Sequence, residues 1–80
     1  MFYVYILKSK KDEEWYVGFT ADLRRRFSQY ASGLVVSTKA RRPFELIYYE
    51  AYTSKDKARK REHNIKLRGQ AFVQLKRRIS

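Results

Sequence analysis

The sequence has no cysteine, one histidine, one proline and three glycines in 80 residues. Without cysteine no disulfide and no thiolate metal site can form, which fits a cytoplasmic protein. No run of about 18 apolar residues occurs, so no transmembrane helix is expected. The first residues lack the basic segment and long apolar core of a signal peptide, and a strand-like run already starts at Phe2. Acidic side chains are scarce too. Eight Asp and Glu stand against nineteen Lys and Arg, a formal charge of +11. Such self-repulsion destabilises a small domain unless a polyanion offsets it. Nucleic acid is the first candidate and anionic lipid the second. The lipid reading is weak, because no helical stretch sets a broad apolar face opposite its lysines, so no membrane partner is expected.

What is present begins with length and aromatics. Eighty residues suit one domain, with a core that is marginal at this size. Seven Tyr, five Phe and one Trp compensate, since each buries a large area. The basic excess is uneven: residues 55–80 hold ten basic and two acidic side chains, residues 1–54 nine and six.

Residues 15–30, Trp-Tyr-Val-Gly-Phe-Thr-Ala-Asp-Leu-Arg-Arg-Arg-Phe-Ser-Gln-Tyr, organise the rest. They read as a strand that turns at Gly18 into a helix from about Ala21 to Ser32, capped by Thr20 and stopped by Gly33. Leu23, Phe27, Tyr30 and Ala31 form its inward stripe. Arg26 sits on the edge of that stripe, whereas Arg24 and Arg25 point more toward water. Before this segment, Phe2–Leu7 reads as a strand and residues 8–14 as a polar turn, giving a hairpin. Residues 34–43 show no period, and a connection that long is more often functional or mobile than idle. Phe44–Glu50 is a third strand, with Phe44, Leu46 and Tyr48 on one face and Glu45, Ile47 and Tyr49 on the other. Thr53-Ser-Lys-Asp56 matches a capping pattern for a second helix to about Leu67. On it, Glu62 lies four after Ala58 and three before Ile65, so it shares the inward face. Gly69 breaks that helix. Ala71–Ile79 is a third, with Phe72, Leu75 and Ile79 as its stripe.

The order and spacing of these elements resemble the GIY-YIG nuclease family. Tyr3-Val4-Tyr5 stands for the first signature and Tyr16-Val17-Gly18 for the second, with Tyr16 eleven positions after Tyr5. Arg26 lies eight after Gly18, at the place of the family's arginine, and Tyr30 matches a position that holds Tyr or His. Glu62 looks like the metal-ligand glutamate. The stretch Ser37–Phe44 is most similar to that of small single-domain members. Tyr3 and Val4 replace the Gly and Ile of the first signature, and the asparagine some members carry near the domain's end has no assigned counterpart.

The resemblance implies an α/β (α+β) fold, a small three-stranded antiparallel sheet flanked by about three helices. It implies a metal-dependent endonuclease that hydrolyses a DNA phosphodiester in one step, in DNA repair or processing, with RNA not excluded. Tyr5, Tyr16, Arg26, Tyr30 and Glu62 would be catalytic. Tyr16 is the favoured base, its phenolate favoured by a metal and an arginine nearby. Glu62 would hold one Mg²⁺ or Mn²⁺, with water and phosphate completing the shell. Lys39, Arg41, Arg42, Arg25 and Lys66 would contact nucleic acid. Plain readings stand beside these. Glu62 and Lys66 have the spacing of a surface helix pair, the tyrosines suit hairpin packing, and His63 points about 100° away from Glu62 and reads as a surface residue. A binding module with this fold and no chemistry is the alternative.

Overall fold

The computed structural model of the protein describes residues 1–79. In chain order the elements are β1 (Phe2–Ser9), β2 (Trp15–Thr20), α1 (Leu23–Ala31), a 3₁₀ helix (Val36–Arg41), β3 (Phe44–Tyr52), α2 (Lys55–Lys66) and α3 (Gln70–Ile79). The three strands form one antiparallel sheet in the order β2-β1-β3. The expected α+β architecture is therefore present, with a 3₁₀ helix added in the stretch that shows no period.

Alternation along β1 splits the core between the two faces of the sheet. Val4 and Ile6 point to one face and pack with Trp15, with Ala58 and Ile65 of α2, and with Phe72 and Leu75 of α3. Tyr5 and Leu7 point to the other face and pack with Tyr30, Phe44, Leu23 and Phe27. Thus α1 covers one face, and α2 with α3 covers the other.

β3 does not keep the simple alternation expected for it. Leu7 pairs with Leu46 and Ile6 with Tyr48, so Ile47 is an extra residue in the ladder. This bulge sends Ile47 and Tyr48 to the α2–α3 face together. Tyr49 is turned to the α1 face, where its ring meets Tyr3. The expected grouping of Tyr48 with Phe44 and Leu46 is thereby corrected.

Three local readings also change. Asp22, not Thr20, caps α1 and accepts from the Arg25 N–H. The Thr20 hydroxyl instead bridges the N–H and C=O of Asp22. Ala31 is exposed, because α1 ends there. Ser54 caps α2 through the Lys57 N–H, which puts Asp56 in the first turn and not at the reciprocal capping position. Gly33 does end α1, at φ +81°.

On the far face α2 is fastened to β3 by a polar knot. The Arg61 guanidinium donates to both Glu50 oxygens at 2.9 Å, and the Tyr48 and Tyr52 hydroxyls donate to the same carboxylate. Burial pulls the Glu50 carboxyl upward, but the donors from Arg61, Tyr48 and Tyr52 outweigh it and hold it at about 2. The bulge makes this knot possible: alternation already puts Tyr48, Glu50 and Tyr52 on one face, and the bulge turns that face toward α2.

Candidate active site

Three of the expected residues come together under α1. The Tyr5 hydroxyl donates to the Tyr30 hydroxyl at 3.3 Å, and the two rings meet edge to face at 6.1 Å. The Arg26 guanidinium lies over the Tyr30 ring, 5.1 Å from its centre, and donates to Gln29 Oε1 at 2.9 Å. It stands beside the Tyr5 hydroxyl, which raises its already high pKa. Arg26 is half-buried while Arg24 and Arg25 are exposed, as the helical spacing requires. Burial, and then the bond to Tyr30, push the Tyr5 phenol above its ordinary value of 10. Tyr5 is therefore a neutral phenol at physiological pH, a donor and not a base.

Gly18 is not a turn. It pairs directly with Tyr5 inside the β1–β2 ladder. A Cβ there would fall inside the Tyr5 hydroxyl and Cζ and only 2.7 Å from Cε1. The glycine leaves the space into which the Tyr5 ring leans.

Tyr16 does not join that cluster through its hydroxyl, which donates to Asp12 Oδ2 at 3.3 Å. Its ring packs edge to face on Phe44 at 5.5 Å, and Phe44 packs in the same way on Tyr30. Burial, and then the Asp12 charge, raise the Tyr16 pKa. The expectation of a phenolate favoured by a nearby arginine is not met here, because Asp12 stands closest. Asp12 is itself held by Arg41 at 2.8 Å and by the Glu14 N–H. The buried Ser9 hydroxyl completes this corner, donating to the Arg41 carbonyl at 2.6 Å and accepting from the N–H groups of Lys11 and Asp12. The hairpin turn and the 3₁₀ segment are thereby joined.

Glu62 sits on α2, on the other side of the sheet. Ala58 and Ile65 point straight inward and are fully buried. At about 100° per residue, Glu62 leans from that line toward the side of Arg59, and Arg61 leans the opposite way. Arg59 reaches the Phe19 ring of β2, while Arg61 reaches β3. Glu62 therefore leans toward the β2 edge of the sheet. Its carboxylate pairs with Lys66 at 3.0 Å and makes no hydrogen bond or ion pair to Tyr5, Tyr16 or Arg26. Among the described residues no group of three His, Cys, Asp or Glu converges as a metal site. A single, largely covered carboxylate does not fit an all-protein cage. It does fit a hard cation such as Mg²⁺ that keeps most of its water and takes one protein oxygen.

The expected nucleic-acid contacts fall into two groups. Lys39, Arg42 and Arg25 are exposed, and Arg42 Nε donates to the Lys39 carbonyl. Arg41 and Lys66 are engaged with Asp12 and Glu62. His63 is exposed, as read.

The model of the GIY-YIG catalytic domain matches residues 1–78. The chain belongs to the GIY-YIG family. Among curated relatives, UPF0213 protein BH0048 of Halalkalibacterium halodurans is 43% identical over 65 residues, covering 80% of this chain and 68% of that one. UPF0213 protein SH2523 of Staphylococcus haemolyticus is 42% identical over 65 residues, covering 80% and 78%. The solution NMR structure of UPF0213 protein BH0048 from Bacillus halodurans superposes with a TM-score of 0.56 at 39% identity, covering 95% of this chain and 86% of that one. GIY-YIG proteins are generally endonucleases acting on nucleic acid with a divalent metal ion. Among the described residues no helix is long and apolar enough to cross a membrane.

Several residues of this candidate site escaped the sequence. Gln29 holds Arg26, and the signal was its place three residues on along the same helix. Phe44 joins Tyr30 to Tyr16 across 14 positions of chain, and Asp12 takes the Tyr16 hydroxyl. Neither contact has a local signature.

Proposed function

We propose that the chain is a metal-dependent endonuclease that hydrolyses a DNA phosphodiester bond. The observation that carries this reading is the Tyr5–Tyr30–Arg26 cluster, a permanent cation and a neutral phenol side by side in a protein of charge +11. Arg26 supplies paired donors to the phosphate oxygens and stabilises the charge that grows as water adds to phosphorus. Tyr5 turns its single O–H from Tyr30 to the same group when the phosphate binds, and the Tyr30 ring holds Arg26 in place. Tyr16 is the proton acceptor. Its oxygen takes a proton from the attacking water as its own phenolic proton passes to Asp12 Oδ2. The water oxygen bonds to phosphorus, the ester bond breaks, and the leaving oxygen takes a proton from solvent. Glu62 would hold one Mg²⁺ or Mn²⁺. When bound, that ion polarises the phosphate and steadies the leaving oxygen. Lys39, Arg42 and Arg25 bind flanking phosphates.

A second reading, a nucleic-acid-binding module without chemistry, draws on the pairing of Glu62 with Lys66 and on the absence, among the described residues, of any group of three His, Cys, Asp or Glu that could hold a metal ion. Nicking of supercoiled plasmid in Mg²⁺ or Mn²⁺, against an EDTA lane, separates the two. Metal-dependent nicks support the nuclease. Binding by gel shift with no product across several DNA and RNA structures supports the module.

A further inference from the structure

On the α1 face the sheet also carries a groove of about 520 Å³, walled by Tyr3, Tyr49 and Leu46 from the strands and by Leu23, Arg24 and Phe27 of α1. The groove lies where the first turns of α1 stand over Tyr3 of β1 and over Leu46 and Tyr49 of β3. The bulge at Ile47 supplies its floor by turning Tyr49 onto this face. Tyr49 is 53% exposed, and its ring meets Tyr3 edge to face at 6.1 Å. Among the described residues neither hydroxyl is hydrogen-bonded. The Tyr49 ring thus stands half open to the groove, with the Tyr3 ring beside it.

The groove is tied to the candidate active site. Tyr49 lies directly opposite Tyr5 in the β1–β3 ladder. Ala21 and Asp22 line both the groove and the shallow hollow that holds Arg25, Arg26 and Gln29. The two depressions therefore open around the same first turn of α1, with Arg24 on the groove side and Arg26 on the other.

We infer that this groove is a nucleobase subsite, taking one base out of its stack beside the phosphate held at Arg26. This rests on the nuclease reading for the strand's position and on its own features for the occupant. Aromatic walls accept the flat face of any base, and the Arg24–Arg26 run supplies the cations that its phosphates require. The one acid at the rim, Asp22, has Oδ1 engaged by the Arg25 N–H. A second copy of the chain fits poorly, because each copy carries +11. The substrate feature this selects is an unpaired or easily unstacked base next to the cut.

The test uses binding in EDTA, so cleavage plays no part. Two probes are compared: a duplex with a single bulged 2-aminopurine, and the same duplex with an abasic residue at the bulge. Tyr49→Ala removes the wall at an exposed position, and Tyr49→Phe keeps the ring. Wild type and Tyr49→Phe quench the 2-aminopurine on binding. Tyr49→Ala loses the quench and binds that probe about 5- to 150-fold more weakly, while its affinity for the abasic probe is unchanged. Equal binding of both probes by all three proteins overturns the groove and leaves the nuclease reading standing. No binding of either probe removes both. A dimer in sedimentation that Tyr49→Ala dissolves would assign the groove to a second copy and overturn the inference.

Discussion

Tyr5 occupies the space that a side chain at Gly18 would fill. The two face each other in the ladder, and a Cβ at position 18 would stand only 2.7 Å from Tyr5 Cε1 and closer still to Cζ and the hydroxyl. The ring is almost fully buried, so it has nowhere to swing. The glycine is therefore the steric condition for the Tyr5–Tyr30–Arg26 cluster.

Gly18→Ala should displace Tyr5, cost about 1–3 kcal/mol through overpacking, and abolish cleavage. In a Tyr5→Ala background the same change should cost little, because the clashing ring is gone. Thermal melts of the four proteins check this. Additive losses in the double mutant would show that the two positions do not meet.

Arg26→Ala should lower single-turnover cleavage by about 10²–10³, the usual loss for one transition-state donor. Gln29→Ala, which only frees the guanidinium, should fall between it and wild type. Arg24→Ala should weaken binding while leaving the rate at saturating DNA unchanged. Equal rate losses in Arg24→Ala and Arg26→Ala would mean that Arg26 has no separate task.

The helix that presents Arg26 was legible because its apolar period is clear, and Leu23, Phe27 and Tyr30 mark the inward face. Tyr48 and Tyr49 were misplaced because the bulge at Ile47 is set by pairing with β1, and nothing in Phe-Glu-Leu-Ile-Tyr-Tyr reveals a skipped partner. The 3₁₀ helix was invisible for a related reason. Val36 is exposed, and the segment is secured by distant groups, the Ser9 hydroxyl on the Arg41 carbonyl and the Lys10 N–H on the Pro43 carbonyl. Gly18 looked like a turn because glycine usually marks one; here its missing side chain matters only through a tyrosine thirteen positions earlier. Likewise nothing local announces that the Tyr16 hydroxyl turns to Asp12.

Ser9→Ala should destabilise the fold by about 1–3 kcal/mol, since it strips one acceptor and one donor from a buried corner. The Arg41 carbonyl loses its partner, and the Lys11 and Asp12 N–H groups lose theirs. Amide exchange should speed up in residues 36–43 and in the hairpin turn together. Faster exchange confined to the turn would contradict the link between the two segments.

Glu50 gives the protein an acid limit. Its folded pKa of about 2 lies below the ordinary 4.5, so it stabilises the fold fully above about pH 5. That contribution drains away as pH falls toward 2. Glu50→Gln should remove it, lowering neutral-pH stability by about 2–3 kcal/mol through loss of charged hydrogen bonds. The mutant should also lose less stability than wild type between pH 5 and 2. Parallel acid curves in urea melts would assign the acid response elsewhere.

The most direct test of the nuclease account is plasmid nicking by wild type and Glu62→Gln side by side, titrated with Mg²⁺. The substitution keeps the size and helix position of Glu62 and removes one negative charge from a basic surface, so folding and gel-shift binding should hold. An amide oxygen is a poorer partner for a hard cation than a carboxylate. The account predicts nicking by wild type that EDTA abolishes, and none by folded, DNA-binding Glu62→Gln. If Glu62 serves only its pair with Lys66, the mutant loses a few tenths of a kcal/mol of stability and nicks like wild type at saturating Mg²⁺, and that result would contradict the account.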